Sequence, residues 1–207
     1  KPLDLAKMSK YKTIRLKSEG NFIDKGSKFL TYAFEVYSEE EIKKALASIQ
    51  ELHPKASHHC YAYSLGLDKN NYRANDDGEP SGSAGRPILG QIYSNELSNI
   101  LIIVVRYFGG TKLGVSGLIN AYKKGAQDAI NNALIIEKEV QVKYKVICDY
   151  LQVNDLLNYL KKMNVSKLEQ SFTEECILMF YIEKSRNDQI NAWLKNKSFN
   201  FTEKEAY

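Results

Sequence analysis

The stretch NDDGEPSGSAGRP, at residues 75–87, combines three carboxylates with two serines, three glycines and two prolines. It has almost no apolar side chain to bury, so it gains little from the hydrophobic effect. Both of its flanks are predicted elements of one domain, and a connection of this length is usually functional when it is ordered. The stretch therefore predicts a site or a structural clasp rather than a linker.

The two halves of this stretch offer different chemistry. The carboxylates of Asp76, Asp77 and Glu79 suit a divalent cation or a general base. The segment SGSAGRP leads into a helix, whose N-terminal N–H groups stabilise an anion. Its candidate anion-binding residues are Ser81, Ser83 and Arg86. Alternatively, the three carboxylates cap those same N–H groups or pair with Arg86 or Arg106.

A second polar stretch, RYFGGTKLGVSG at residues 106–117, follows an apolar strand. Arg106 ends that strand, where a buried cation needs a carboxylate or a bound anion. Lys112 and Ser116 supply a charge and a hydroxyl group, and glycines let the backbone approach a ligand. The pattern is not a Walker A loop. The glycines are Gly109, Gly110, Gly114 and Gly117. This loop and the acidic stretch either share a cleft or lock together through ion pairs.

His58, His59 and Cys60 stand together at the start of a predicted strand. Adjacent strand residues point to opposite faces, so at most one of the two histidines faces a site that contains Asp76 and Asp77. Because metal-binding histidines usually share one face, we expect no metal site and no cofactor here. Cys60 shares a face with His58, but a buried structural cysteine is the commoner case.

The elements around these stretches indicate two domains, residues 1–137 and 138–207. In the first, a helix begins at Ser38, with Glu41 completing a capping-box pattern, and ends at Pro54. The other predicted elements of this domain are strands at 11–22, 27–37, 58–67 and 99–108, helices at 87–97 and 118–134, and a glycine loop at 109–117. The second domain shows the order βαββαβ, typical of a ferredoxin-like fold.

Composition narrows the class of protein. The 207 residues are 43% hydrophobic and carry a net charge of +4, which suits a globular protein with a mildly basic face rather than a strongly basic nucleic-acid binder. Three widely spaced cysteines argue against a disulfide framework and favour the cytoplasm. The longest apolar run is too short to cross a membrane, and no secretory signal is visible.

Three blocks in this order, HPKASHHCYAYSLG, DDGEPSGSAGRPIL and VVRYFGGTKLGVSGLINAY, resemble the signature of the YigZ/IMPACT family. They span residues 53–122, and the C-terminal segment is similar to the second domain of bacterial YigZ proteins, so nearly the whole chain is covered. Relatives often carry a serine before the aspartate pair, where this chain has Asn75.

The resemblance implies a two-domain α+β protein. The N-terminal domain is expected to be a split β-α-β fold like the second domain of small-subunit ribosomal protein S five, and the C-terminal one to resemble ferredoxin-like domains of elongation factor G. Eukaryotic relatives regulate translation by contacting the activator of a kinase that phosphorylates an initiation factor, partly through a further N-terminal domain. For bacterial members the resemblance implies no settled activity, and fold alone does not fix function.

Three functions follow. In the first, the protein is a non-enzymatic RNA-binding or ribosome-associated module in which Arg86, Arg106, Lys112, Lys123 and Lys124 contact phosphates and exposed tyrosines stack on bases. In the second, it binds a translation-related protein. In the third, it is an enzyme acting on a phosphorylated or peptide-like small molecule, but no nucleophile and base can be paired from the sequence. We favour the functions in that order; the oligomeric state is not predicted.

Overall fold

The computed structural model describes residues 9–163, 165–172 and 175–206. It confirms the predicted two-domain α+β class. The chain forms two compact units, Tyr11–Lys138 and one made mainly of Glu139–Tyr207. Ser9 also belongs to the second unit, where its carbonyl oxygen accepts the Val140 N–H at 2.7 Å. None of the described helices is long and apolar enough to span a lipid bilayer.

The elements from the first to the seventh strand are β1 Lys10–Ile14, β2 Ser18–Asp24, β3 Ser27–Glu35, α1 Glu39–Leu52, β4 His58–Leu65, β5 Asn71–Asn75, α2 Gly85–Ser94, β6 Ile100–Tyr107, α3 Gly114–Asn131 and β7 Ile135–Glu139. The first unit is built on a five-stranded antiparallel sheet in the order β2-β3-β6-β4-β5. Strands β1 and β7 form a separate two-stranded sheet.

Strand β6 is covered on both faces, as its unbroken apolar sequence predicts. Ile102 and Val104 pack on one face with α2 and α3, while Ile103 and Val105 pack on the other with α1. Side chains alternate along a strand, so Arg106 falls on the α2 and α3 face. The sequence of β6 therefore fixes which side of the sheet receives this buried charge.

Helix α1 connects β3 to β4, and β6 lies between these two strands and antiparallel to both. The helix begins where predicted: the Ser38 hydroxyl accepts the Glu41 N–H at 3.2 Å. The Glu41 carboxylate accepts the N–H of Tyr37, at 2.7 Å, rather than that of Ser38. Only half of the predicted capping box is therefore present.

The second unit has the predicted order of elements, βαββαβ. The elements are β8 Gln141–Cys148, α4 Tyr150–Lys162, β9 Ser166–Phe172, β10 Cys176–Glu183, a short 3-10 helix Lys184–Arg186, α5 Asn187–Asn196 and β11 Asn200–Ala206. The four strands form an antiparallel sheet in the order β11-β8-β10-β9. At its centre Tyr144 on β8 stacks on Phe180 of β10.

Two predicted elements were wrong in extent. Residues 11–22 form two strands instead of one, because the chain bends at residues 15–17 and β1 pairs with β7 while β2 pairs with β3. The predicted glycine loop is shorter, because α3 already begins at Gly114 and buries Leu118 in its second turn. The loop proper is confined to residues 108–113.

Gly90 lies inside helix α2, and a Cβ atom added there would meet no atom within 4 Å. Glycine lowers helix stability relative to alanine, so Gly90→Ala should raise the free energy of unfolding of the first unit by about 0.5–1 kcal/mol. Hydrogen exchange of the β6 amides measures this change. Fluorescence of Trp193, in the second unit, should not change.

The matched control is Gly20→Ala on β2. Its added Cβ would lie 2.4 Å from the Ala129 backbone nitrogen on α3, so this variant should accelerate exchange of the β6 amides. Equal behaviour of the two variants would contradict the packing described here.

Candidate functional site

Asp76 occupies the N-terminus of helix α2. One carboxylate oxygen accepts the N–H groups of Ala84 and Gly85 at 3.0 and 2.8 Å, and the other accepts that of Gly82 at 2.8 Å. Burial by itself would raise the pKa of Asp76, but these N–H groups and the charge of Arg86 hold that pKa below its ordinary value of 3.8. The helix end at which the sequence predicted a bound anion therefore holds the chain's own carboxylate.

Asp77 forms a tight turn against the start of β4. It has a φ of +41° and is followed by Gly78 at +84°. Its carboxylate accepts the His59 N–H at 2.6 Å, and its carbonyl oxygen lies 2.7 Å from Nδ1 of His58. Asn75, which stands where relatives often have serine, accepts the Asp77 N–H at 2.9 Å. The turn thus clamps both histidines through backbone and side-chain contacts.

The contact with the Asp77 carbonyl oxygen determines which ring nitrogen of His58 carries a hydrogen. A carbonyl oxygen only accepts hydrogen bonds, so Nδ1 of His58 carries the hydrogen. In the neutral ring Nε2 is then an acceptor, and it lies 3.8 Å from Oε1 of Glu79. Nδ1 of His59, the next residue of the strand, lies 4.0 Å from Oδ2 of Asp77.

Glu79 and Arg106 form a buried ion pair. Nη1 of Arg106 donates to Oε1 of Glu79 at 2.6 Å, and both side chains are less than one-tenth exposed. Oε1 also accepts the Tyr122 hydroxyl at 2.7 Å. The sequence required a carboxylate or an anion beside Arg106, and the structure supplies the carboxylate. Among the described residues Nε of Arg106, also buried, has no hydrogen-bond partner.

Tyr122 extends this network to Cys60. The Cys60 thiol lies 3.3 Å from the Tyr122 hydroxyl and 3.0 Å from the Asp76 carbonyl oxygen. Burial raises the pKa of both Tyr122 and Cys60. The Cys60 side chain is fully buried, which agrees with a structural role.

The glycine loop packs on the turn between β2 and β3. A Cβ atom at Gly109 would lie 1.9 Å from the carbonyl carbon of Gly26, so only glycine fits there. The Gly109 N–H donates to the Ser27 hydroxyl at 3.1 Å, and Nη2 of Arg106 lies 3.4 Å from the same oxygen. Gly110 has a φ of +88°, in the left-handed region that favours glycine. Through Ser27 the loop is thus connected to Arg106, whose partner Glu79 belongs to the acidic stretch.

The two stretches meet at one cleft of about 400 Å³. Glu79 and Pro80 of the acidic stretch line it together with Arg106, and so do Lys112 and Val115. Phe108 also lines the cleft and is 51% exposed. The cleft has one carboxylate in its lining, and that carboxylate is paired with Arg106. An anionic ligand with an apolar or planar part suits this combination of residues.

Apart from Arg106, which is buried and paired with Glu79, the predicted anion-binding residues fall into three groups. Ser83 is buried and donates to the Pro80 carbonyl oxygen at 2.6 Å, so it faces no ligand. Arg86 is exposed in a different cleft, beside β5. The remaining exposed residues are Ser81, Lys112, Ser116, Lys123 and Lys124. The last four belong to the glycine loop or to α3.

Two residues of this site had weaker signals in the sequence. The helical spacing of Tyr122 with Leu118 and Ala126 indicates a core position, but its polar partner Glu79 lies 43 positions away and cannot be read from spacing. Phe108 looked like the end of an apolar strand, although an aromatic residue beside two glycines could have marked an exposed position. In the described parts of the chain, no group of three His, Cys, Asp or Glu side chains is placed to hold a metal ion.

Fold and site together define a two-domain α+β protein whose acidic stretch and glycine loop share a buried ion pair beside a cleft. Residues 25–130 match the Impact N-terminal domain, and residues 146–198 match DUF1949, a domain of unknown function. The chain belongs to the IMPACT family.

The similarity to family members extends over most of the chain. The chain is 30% identical to the IMPACT family member YvyE of Bacillus subtilis over 184 residues, 89% of this chain and 85% of that protein. It is 35% identical to an IMPACT family member of Haemophilus influenzae over 179 residues, 84% of this chain and 85% of that one. A crystal structure of a hypothetical protein matches with a TM-score of 0.78 at 27% identity, over 94% of this chain and 97% of that chain.

The buried ion pair generates the first prediction for this site. Glu79→Gln leaves the Arg106 charge buried without a counter-charge, so it should destabilise the first unit by about 3–5 kcal/mol, measured by hydrogen exchange of the β6 amides. Adding Arg106→Met removes that charge and should restore part of the loss. A single variant as stable as the parent would contradict this description of the pair.

Asp76 generates a pH-dependent prediction. Its pKa is lowered in the folded state, so its ionised form stabilises the fold above pH 3.8, and this contribution disappears as the pH falls through the lower, folded-state value. Asp76→Asn keeps one acceptor oxygen but loses the charge, so at pH 7 it should cost about 1 kcal/mol. The difference in stability between the two proteins should shrink in acid; a difference that grows there would contradict the assignment.

Proposed function

We propose that this protein is a non-enzymatic, RNA-binding factor associated with the ribosome and that the cleft between the acidic stretch and the glycine loop binds unpaired RNA. The observation that carries the proposal is the position of Phe108 and Lys112 together on this cleft. An exposed aromatic ring beside a lysine binds single-stranded nucleic acid through base stacking and phosphate contact.

The electrostatics of the cleft favour a phosphate. The Glu79 charge is balanced by Arg106, so it does not repel an anion. The buried Nε of Arg106 would gain a partner from a phosphate oxygen at the cleft floor. Helix α3 begins beside Lys112 without a side-chain cap, so its first N–H groups are available to the same ligand.

Further lysines extend a basic track along α3. Ser116 and Lys123 are seven residues apart and so share one helix face, and both are exposed. Lys124, next to them, also contacts the Phe22 ring, with Nζ 5.1 Å from its centroid. A phosphate backbone that leaves the cleft along α3 would meet these side chains in turn.

Family membership supports a role in translation. The resemblance to the YigZ/IMPACT family associates its eukaryotic members with translation regulation and both domains with folds of ribosomal and elongation-factor proteins. A protein that binds unpaired RNA through the first unit fits this setting. The ribosome, or a factor bound to it, is accordingly the expected partner.

The test is the salt dependence of binding to a fluorescein-labelled twelve-nucleotide uridine RNA, followed by anisotropy. For wild type, the logarithm of the association constant should fall linearly with the logarithm of salt concentration, with a slope of about −0.7 for each phosphate contacted. Lys112→Ala should weaken binding and reduce that slope by about one contact. No binding, or binding that does not vary with salt, would reject the proposal.

The stacking part of the proposal has its own variant. Phe108→Leu keeps an apolar side chain but removes the ring, and it should weaken binding by about tenfold with little change in the salt slope. Lys43→Ala, on the exposed side of α1 across the sheet, removes an equal charge away from the cleft and is the matched control. An effect of Lys43→Ala equal to that of Lys112→Ala would indicate non-specific attraction.

A further inference from the structure

A second, larger cleft of about 780 Å³ lies between strand β5 and helix α2. Residues Tyr72, Arg73 and Ala74 of the strand line it, together with Arg86, Gly90 and Tyr93 of the helix. It belongs to the same unit as the first cleft but shares none of its lining residues. Nothing in the proposed RNA site uses it.

Strand β5 is an edge of the five-stranded sheet, and among the described strands it pairs with β4 alone. Alternate residues of an edge strand direct N–H and C=O groups away from the sheet, where another strand can pair with them. The first three residues of β5 are exposed, including Tyr72, which is 53% exposed. The cleft thus combines an open strand edge with the flank of a neighbouring helix.

Gly90 is the second sign that this groove receives a ligand. It lies in the middle of α2, where glycine costs stability, and it lines the cleft. An added Cβ would meet nothing within 4 Å, so packing inside the chain does not require the absence of a side chain. A glycine that the fold does not need, in the wall of a groove, is expected where another chain approaches closely.

The charge of the groove indicates what kind of chain this is. Arg73 and Arg86 line it, and no carboxylate does. Neither arginine forms an ion pair within 4 Å in the described chain, although the charge of Arg86 also acts on Asp76. Lys69 adds a third positive charge at the Tyr93 end, with Nζ 5.1 Å from the ring centroid. Acidic side chains on the ligand would find counter-charges along the groove.

We propose that this groove binds an extended, acidic segment of a partner protein, which adds to the edge of β5 as a sixth strand. Main-chain hydrogen bonds to β5 supply affinity, and pockets on alternate sides of the strand supply specificity. Every second side chain of the segment enters the space between Tyr72, Ala74 and Gly90. A peptide fits better than RNA because its N–H and C=O groups repeat at the spacing of the strand edge.

The experiment uses the full chain and a fluorescein-labelled seven-residue peptide of alternating glutamate and valine. It should bind, and it should slow hydrogen exchange of β5 amides, because pairing protects them. The same peptide with lysine in place of glutamate should bind at least tenfold more weakly. Binding of the acidic peptide without slower exchange in β5, or equal binding of both peptides, would overturn the proposal.

Gly90→Leu is the decisive variant, because a Cβ at this position meets no atom within 4 Å and the larger side chain takes up volume in the groove that Gly90 lines. It should weaken binding of the acidic peptide at least tenfold, while β6 amide exchange shows that the unit stays folded. Gly90→Ala is the matched control and should have a smaller effect. Unchanged affinity in a folded Gly90→Leu protein would reject the groove as the site.

A charge variant and a competitor identify the class of ligand. Arg86→Glu should weaken binding of the acidic peptide and improve that of the basic one. The twelve-nucleotide uridine RNA should not displace the acidic peptide. Displacement by that RNA, with matching protection of β5, would overturn the assignment to protein. Because Phe108 and Lys112 lie in the other cleft, their variants should leave peptide binding unchanged, so the two proposals can fail separately.

Discussion

The buried pair of Arg106 and Glu79 is the constraint on which the site depends. Two charges in a protein interior are costly unless each is paired and hydrogen-bonded. The alternation of side chains along β6 places Arg106 on the sheet face that α2 and α3 cover. The chain must therefore bring a carboxylate to it from another element. The acidic stretch does this with Glu79, and Tyr122 of α3 donates a second hydrogen bond to the same carboxylate oxygen. One charge pair thereby ties a loop, a strand and a helix together.

The conformation of the acidic stretch follows from this requirement. To deliver Glu79, the chain turns at Asp77 and Gly78 with positive φ values, and Asp76 caps α2 on the far side of the turn. The carboxylates that the sequence offered as a metal site or a base each bind a different backbone or side-chain partner within the fold. They therefore shape the site rather than act in it: they form a cleft beside the glycine loop and fix the start of α2. Helix α2 in turn forms one wall of the groove at β5.

Much of this could be predicted from residue patterns. The apolar run of β6 predicted a strand covered on both faces, and Arg106, directly after that run, predicted a buried cation in need of a counter-charge. The order of elements after residue 138 also followed from periodicity, since alternation and helical repeats are local signals. The strands β5 and β7 were not predicted. They are short, and their sequences, NYRAN and IIEKE, do not alternate clearly between polar and apolar residues.

The sequence by itself determined which residues carry charge and which stretches must be ordered, because these depend on residue type and on spacing of a few positions. It also determined that Arg106 needs a partner, but it left Glu79, Asp76, Asp77 and a bound anion as equal candidates. Only the tertiary structure decided among them, because hydrogen bonds between groups 27 or 43 positions apart depend on how β4, β6 and α3 pack. It likewise decided that Arg86 and Lys112 line different clefts. Both residues lie in segments rich in glycine and serine, and only the tertiary structure places Arg86 beside β5 and Lys112 beside the start of α3.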